Sequence, residues 1–176
     1  MNRFIKKVAR VLLVVAVISG GMLSGASGVW AQTKGSLAKQ IQGTWTLVSI
    51  YNEQDGKKTE VFGPNPRGSL IVTPNGRFSI IMMRESLPKF ASNNRMTGTA
   101  EENQSVAQGS FANFGTYKVV SEKEKTLNFH IEGCTFPNWD GQDQKRFVTV
   151  TGDELKLTVP AATIGGTNYL VWKRAK

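Results

Sequence analysis

From Gly43 to Arg174 the chain is divided into short runs of β-branched and aromatic residues separated by turn formers, and this segmentation constrains the fold more than any other feature. Eight such runs can be read: Gly43 to Tyr51, Ser69 to Thr73, Arg77 to Arg84, Gly115 to Val120, Thr126 to Glu132, Lys145 to Thr151, Glu154 to Val159 and Asn168 to Arg174. Thr73-Pro74-Asn75-Gly76 puts a residue tolerant of positive φ between two runs, and Thr151-Gly152-Asp153 does the same later, so both read as hairpins. Tight turns make neighbouring runs antiparallel, and the long alternating helices of a parallel sheet are missing. The expected fold is therefore all-β, an eight-stranded antiparallel up-and-down barrel.

One segment breaks the pattern. Between Arg84 and Gly115, Thr99 and Glu102 stand at the spacing of a helix N-terminal capping box. A short helix from about Ala100 to Phe111 is expected, with Val106 and Ala107 towards one side and Phe111 and Phe114 following. It would serve either as a lid or as a plug for one barrel end.

The first 31 residues carry Arg3, Lys6, Lys7 and Arg10, then the apolar run Val11 to Ser19, then small residues ending Val29-Trp30-Ala31. That order predicts a secretory signal at residues 1–31, cleaved after Ala31, and an exported protein, periplasmic or secreted. The apolar run falls short of the roughly 20 residues that span a bilayer, so no membrane span is expected after cleavage. Residues 32–40 read as a flexible leader, and residues 41–176 as one barrel domain. Of the 22 basic residues four lie in the signal, leaving 18 against 13 acids and a mature charge of about +5. The bases are scattered and form no phosphate-neutralising stripe, which argues against a nucleic-acid partner. Nothing in the residue pattern sets an oligomeric state.

Cys134 is the single cysteine, so the core must hold the fold without an internal disulfide. It reads better as a small apolar residue than as a nucleophile, because His130, the single histidine, would lie roughly 13 Å away along one extended strand. With one histidine no metal site is expected, and no glycine loop or nucleophile elbow suggests a cofactor or a serine hydrolase.

The fifth run alternates Leu127, Phe129 and Ile131 with Asn128, His130 and Glu132, so one row must face the lumen. The default puts the apolar row inside. The functional alternative lines the lumen with Asn128, His130 and Glu132, joined by Gln144 and Arg146 from the next run, as a polar pocket for a carboxylate, carbonyl or hydroxyl group. In that arrangement His130 and Glu132 are the candidate catalytic pair, since a carboxylate can orient an imidazole that titrates near neutrality. Met83 and Trp139 are candidate apolar wall residues for a ligand.

Several short motifs recur in order along the mature chain. They are Gly43-Thr44-Trp45, Phe62-Gly63-Pro64 with Arg67-Gly68, Thr73-Pro74-Asn75-Gly76, His130-Ile131-Glu132-Gly133 running into Phe136-Pro137-Asn138-Trp139, and Leu170-Val171-Trp172-Lys173-Arg174. Together they resemble the lipocalin-like domain family of bacteria and fungi, small calycin-type barrels. The resemblance implies that Trp45 plugs the closed end of the barrel and that Arg174 covers it. By analogy with that fold, the chain reads as a non-enzymatic protein that binds a small apolar or amphipathic molecule in its lumen. The alternatives are a small-molecule isomerase, cyclase or hydrolase using His130 with Glu132 or Arg146, and a secreted inhibitor that binds a protein through its loops.

Overall fold

The computed structural model describes residues 35–176; the signal expected at residues 1–31 lies outside the described residues. A short helix α1 (Leu37–Ile41) leads into β1 (Gly43–Gln54), β2 (Lys57–Glu60), β3 (Arg67–Val72) and β4 (Arg77–Met83). Helix α2 (Ala100–Gly109) then precedes β5 (Ser110–Ser121), β6 (Thr126–Cys134), a 3₁₀ turn at Pro137–Trp139, β7 (Asp143–Thr151), β8 (Glu154–Val159) and β9 (Thr167–Arg174). Strands β3 to β9 pair with their sequence neighbours, all antiparallel, and β1 pairs with both β3 and β9, which closes the barrel with eight strands. Closure removes the open edges that a flat sheet would expose. The ninth strand, β2, pairs only with the distal part of β1, from Tyr51 to Gln54, and all four of its residues are exposed. Its lysines and glutamate suit an edge that must stay unpaired.

Alternation along each strand sends one row inwards. Leu70 and Val72 of β3, Phe78 and Ile80 of β4, and Leu155 and Leu157 of β8 are all buried in one core. Two register shifts interrupt the β5–β6 ladder, one at Phe114/Gly115 and one at Val119/Ser121. At the first, a Cβ on residue 115 would stand 1.9 Å from the carbonyl oxygen of His130, so only glycine admits that approach of backbone to backbone.

The two barrel ends differ. At one end, Trp45 is fully buried, its indole N–H donates to the Ile41 carbonyl at 2.8 Å, and the Arg174 guanidinium lies 4.1 Å over its ring. Arg174 also donates to the carbonyls of Gln42 and Gln40, at 2.9 and 3.0 Å. Here the structure departs from the expected flexible leader: Leu37 and Ile41 are each 1% exposed and helix α1 seals the end. Both oxygens of the Glu122 carboxylate accept from the Leu37 backbone N–H at 3.0 Å. The i, i+4 spacing of Leu37 and Ile41 places both on the face that meets the core.

At the opposite end, β4 and β5 are joined by residues 84–109. Helix α2 has the expected capping box: Thr99 Oγ1 accepts from the Glu102 N–H, and the Glu102 carboxylate accepts from the Thr99 N–H. Apart from Gly109, none of its residues is buried, so it does not plug the barrel. Among the described residues no helix is long and apolar enough to cross a membrane.

Candidate functional site

Register decides which polar side chains enter the lumen. Residues paired directly across two strands share a face. Leu127 pairs with Arg146 and Phe129 pairs with Gln144, so Arg146 and Gln144 point the same way as the buried apolar row of β6. His130, in contrast, pairs with Asp143 and is exposed on the outer face together with Glu132. The pocket imagined from the sequence, uniting Asn128, His130 and Glu132 with Gln144 and Arg146, therefore divides between two sides of the sheet.

On the outside, His130 Nδ1 lies 2.9 Å from an Asp143 carboxylate oxygen, and the Arg77 guanidinium takes Glu132 in a two-pronged pair at 2.6 and 3.2 Å. Asn128 is half-buried in the same outer row. The hydrogen bond from His130, aided by one from Asn128, holds the Asp143 carboxyl below the ordinary aspartate range. His130 and Glu132 thus have separate partners and do not form a proton-transfer pair. Replacing His130 by Ala or Glu132 by Gln is expected to change stability by no more than about 1 kcal/mol, as for other exposed ion pairs. Denaturant midpoints of both variants check this.

Arg146 is 7% exposed and is the only buried charged side chain among the described residues. Its guanidinium donates to the Lys145 carbonyl at 2.9 Å and to the Gln144 side-chain oxygen. No acidic side chain pairs with it among the described residues. Burial pulls its pKa down from the ordinary arginine range to about 10, so it stays protonated at neutral pH. The guanidinium carbon lies 5.7 Å from the Trp139 ring centre, and that ring meets Phe111 edge-on at 5.4 Å. The Pro137–Trp139 turn positions this indole against the core beside the start of β7. Met83 is half-buried on the outward row at the end of β4, where its sulfur accepts from Arg67 at 3.5 Å. Met82, not Met83, faces the core.

The sequence reading missed Asn113. It follows Phe111 by two positions on β5, is 5% exposed, and its side-chain oxygen has no hydrogen-bond partner. The row Phe111, Asn113, Gly115, Tyr117 carried the signal, because its even spacing sets an amide among core positions. Cys134 is half-buried at the end of β6, where the Phe136 N–H donates to its sulfur at 3.3 Å and burial raises its pKa. Two of the surface hollows among the described residues stand out. One, of about 300 Å³, lies between α1 and the end of β7; the other, of about 320 Å³, lies over β4, β5 and β6 around Ile81 and Phe114. Neither includes Arg146.

A closed antiparallel barrel of eight strands with one end sealed is the architecture of a lipocalin-like barrel. Residues 42–175 match the Lipocalin-like domain family, and the chain belongs to it. Among solved structures it is similar to a lipocalin-like protein from Bacteroides uniformis, at 14% identity over 77% of this chain and 99% of that one, with a TM-score of 0.43. It is also similar to the fluorescent protein UnaG, at 11% identity over 78% of this chain and 99% of that one, with a TM-score of 0.37. A search of curated protein sequences finds no match.

Proposed function

We propose that this chain is an exported carrier that takes a small apolar or amphipathic molecule into its barrel and sets the polar end of that molecule on Arg146. One observation carries the reading: a guanidinium buried among apolar residues with no acid beside it. A lone buried charge is costly unless something compensates it, and among the described residues no acid does so, which supports a partner from outside the chain. Trp139 and Phe111 supply aromatic wall next to the charge, and the Asn113 oxygen offers a further hydrogen bond.

The rival reading, an isomerase, cyclase or hydrolase, needs His130 to act with Glu132 or Arg146. Arg146 lies on the inner face, away from His130, and on the outer face His130 is held by Asp143 and Glu132 by Arg77, so neither pairing is assembled. Intact mass measurement of the protein purified natively from its own host tests the carrier and its export together. The expected result is a chain beginning at Gln32 with an added small mass that leaves on denaturation. A ligand-free barrel that also fails to bind amphipathic probes would overturn the carrier. A chain retaining Met1 in the membrane fraction would overturn export.

A further inference from the structure

We infer that the lumen selects singly charged organic acids, carboxylates foremost, over both doubly charged phosphate esters and neutral analogues. The inference rests on the carrier reading and names the ligand class which that reading leaves open.

The argument is one of charge balance. Besides Arg146, the buried polar side chains among the described residues are Asn52, Asn113 and Thr126, all uncharged, so these residues place a single formal charge in the interior and it is positive. A monoanion placed against the guanidinium makes the pair neutral. A dianion would leave one negative charge facing apolar walls, where an uncompensated ion is strongly disfavoured. A neutral ligand would leave the guanidinium as it is now, desolvated and without a counter-ion. The fork of the guanidinium suits carboxylate geometry: of its five N–H groups, one is taken by the Lys145 carbonyl and one by the Gln144 side chain, and the rest are free to donate. The aromatic edge formed by Trp139 and Phe111 begins beside the charge, so the apolar body of the ligand lies directly behind its acid group.

Among the described residues, nothing next to Arg146 competes for this role. Leu127, Gln144 and Trp139, which flank it, do not titrate. Asp143, His130 and Glu132 are on the outer face and are already paired there, and the raised pKa of Cys134 keeps that thiol neutral.

Calorimetric titration with three naphthyl probes tests the inference: 1-naphthaleneacetate, 2-(1-naphthyl)ethanol and 1-naphthyl phosphate. The first two differ in charge on nearly the same frame. The third passes from monoanion to dianion around pH 6, the second ionisation of a phosphate ester. The mature protein is expected to bind the acetate at least about tenfold more tightly than the alcohol, and the phosphate at least about tenfold more tightly near pH 5 than near pH 8. In Arg146→Met both preferences should vanish. Arg146→Lys, which keeps the charge and loses the fork, should keep a reduced preference for the acid, and it guards against a fold defect in the first variant. Equal binding of acetate and alcohol, or a phosphate dianion bound as tightly as the monoanion, would overturn the charge rule and leave the carrier standing. Persistence of both preferences in Arg146→Met would place the charge elsewhere and also overturn it. Failure of all three probes to bind would overturn the carrier reading and the inference with it.

Discussion

Trp45→Ala is expected to lower the free energy of unfolding by about 3 to 5 kcal/mol, the range for removing a large aromatic side chain from a core. The indole is fully buried, and it links three parts of the closed end: helix α1 through its bond to Ile41, strand β9 through Arg174, and the inward row of β1. Its loss leaves a void that α1 cannot fill, because α1 is a single short turn held by Leu37, Ile41 and the Glu122 carboxylate. Trp45→Phe should lose less, keeping an aromatic ring under Arg174 but giving up the hydrogen bond. Urea unfolding of both variants is the measurement. An unchanged midpoint for Trp45→Ala would exclude the plug role.

Arg146→Met is expected to act in the opposite direction, raising the stability of the ligand-free protein by about 1 to 4 kcal/mol, the range found when buried ionic groups give way to apolar ones of similar volume. The pH dependence follows from the lowered pKa. Unfolded, the guanidinium keeps its ordinary high value; folded, burial brings it down to about 10. Below about pH 10 the group is charged in both states, and the folded state carries the whole desolvation penalty. From about pH 10 up to the ordinary arginine value the unfolded chain binds more protons, so stability rises with pH and the penalty fades. The advantage of Arg146→Met over wild type is thus complete at neutral pH and shrinks only in strong alkali. Paired denaturant melts near pH 7 and pH 10.5 read this difference. A variant no more stable than wild type at neutral pH would show that the charge is compensated within the chain. A more stable protein that binds acids poorly is the signature of a residue kept for its ligand.

Much of the barrel is written in local sequence. Runs of β-branched residues, the Thr73 to Gly76 turn and the Gly152 turn set strands whose bounds lie within a few residues of the observed ones, except for β5, which begins earlier, at Ser110. The Thr99 and Glu102 capping box likewise marks α2, since both partners lie within one turn. Which face of β6 meets the core is another matter. Alternation gives two rows and no sign, and the sign is set by pairing with distant strands and by the two register shifts against β5. The parity of β7 held a clue, because Gln144 and Arg146 alternate in step with Val148 and Val150 and out of step with Lys145. Leu37 and Ile41 were legible as a helical pair, but a polar stretch on their N-terminal side hides so short an element. The edge strand β2 has no apolar row to reveal it and exists because the β1 hairpin continues past the barrel wall.

The excursion over residues 84–109 stands apart from the rest of the molecule. Met83 already pairs with Ser110, and Arg84 donates its backbone N–H to Gly109, so the two strands are tied together before the excursion begins. Its own bonds run mostly inwards: Ala91 to Glu102, Asn103 to Gly98, Leu87 against Gly109. Closing a long loop adds little entropy over closing a short one. This stretch is consequently an exchangeable module: it can be shortened to a hairpin turn, or replaced by a segment of another length and charge, while the barrel keeps its registers and only the surroundings of one rim change.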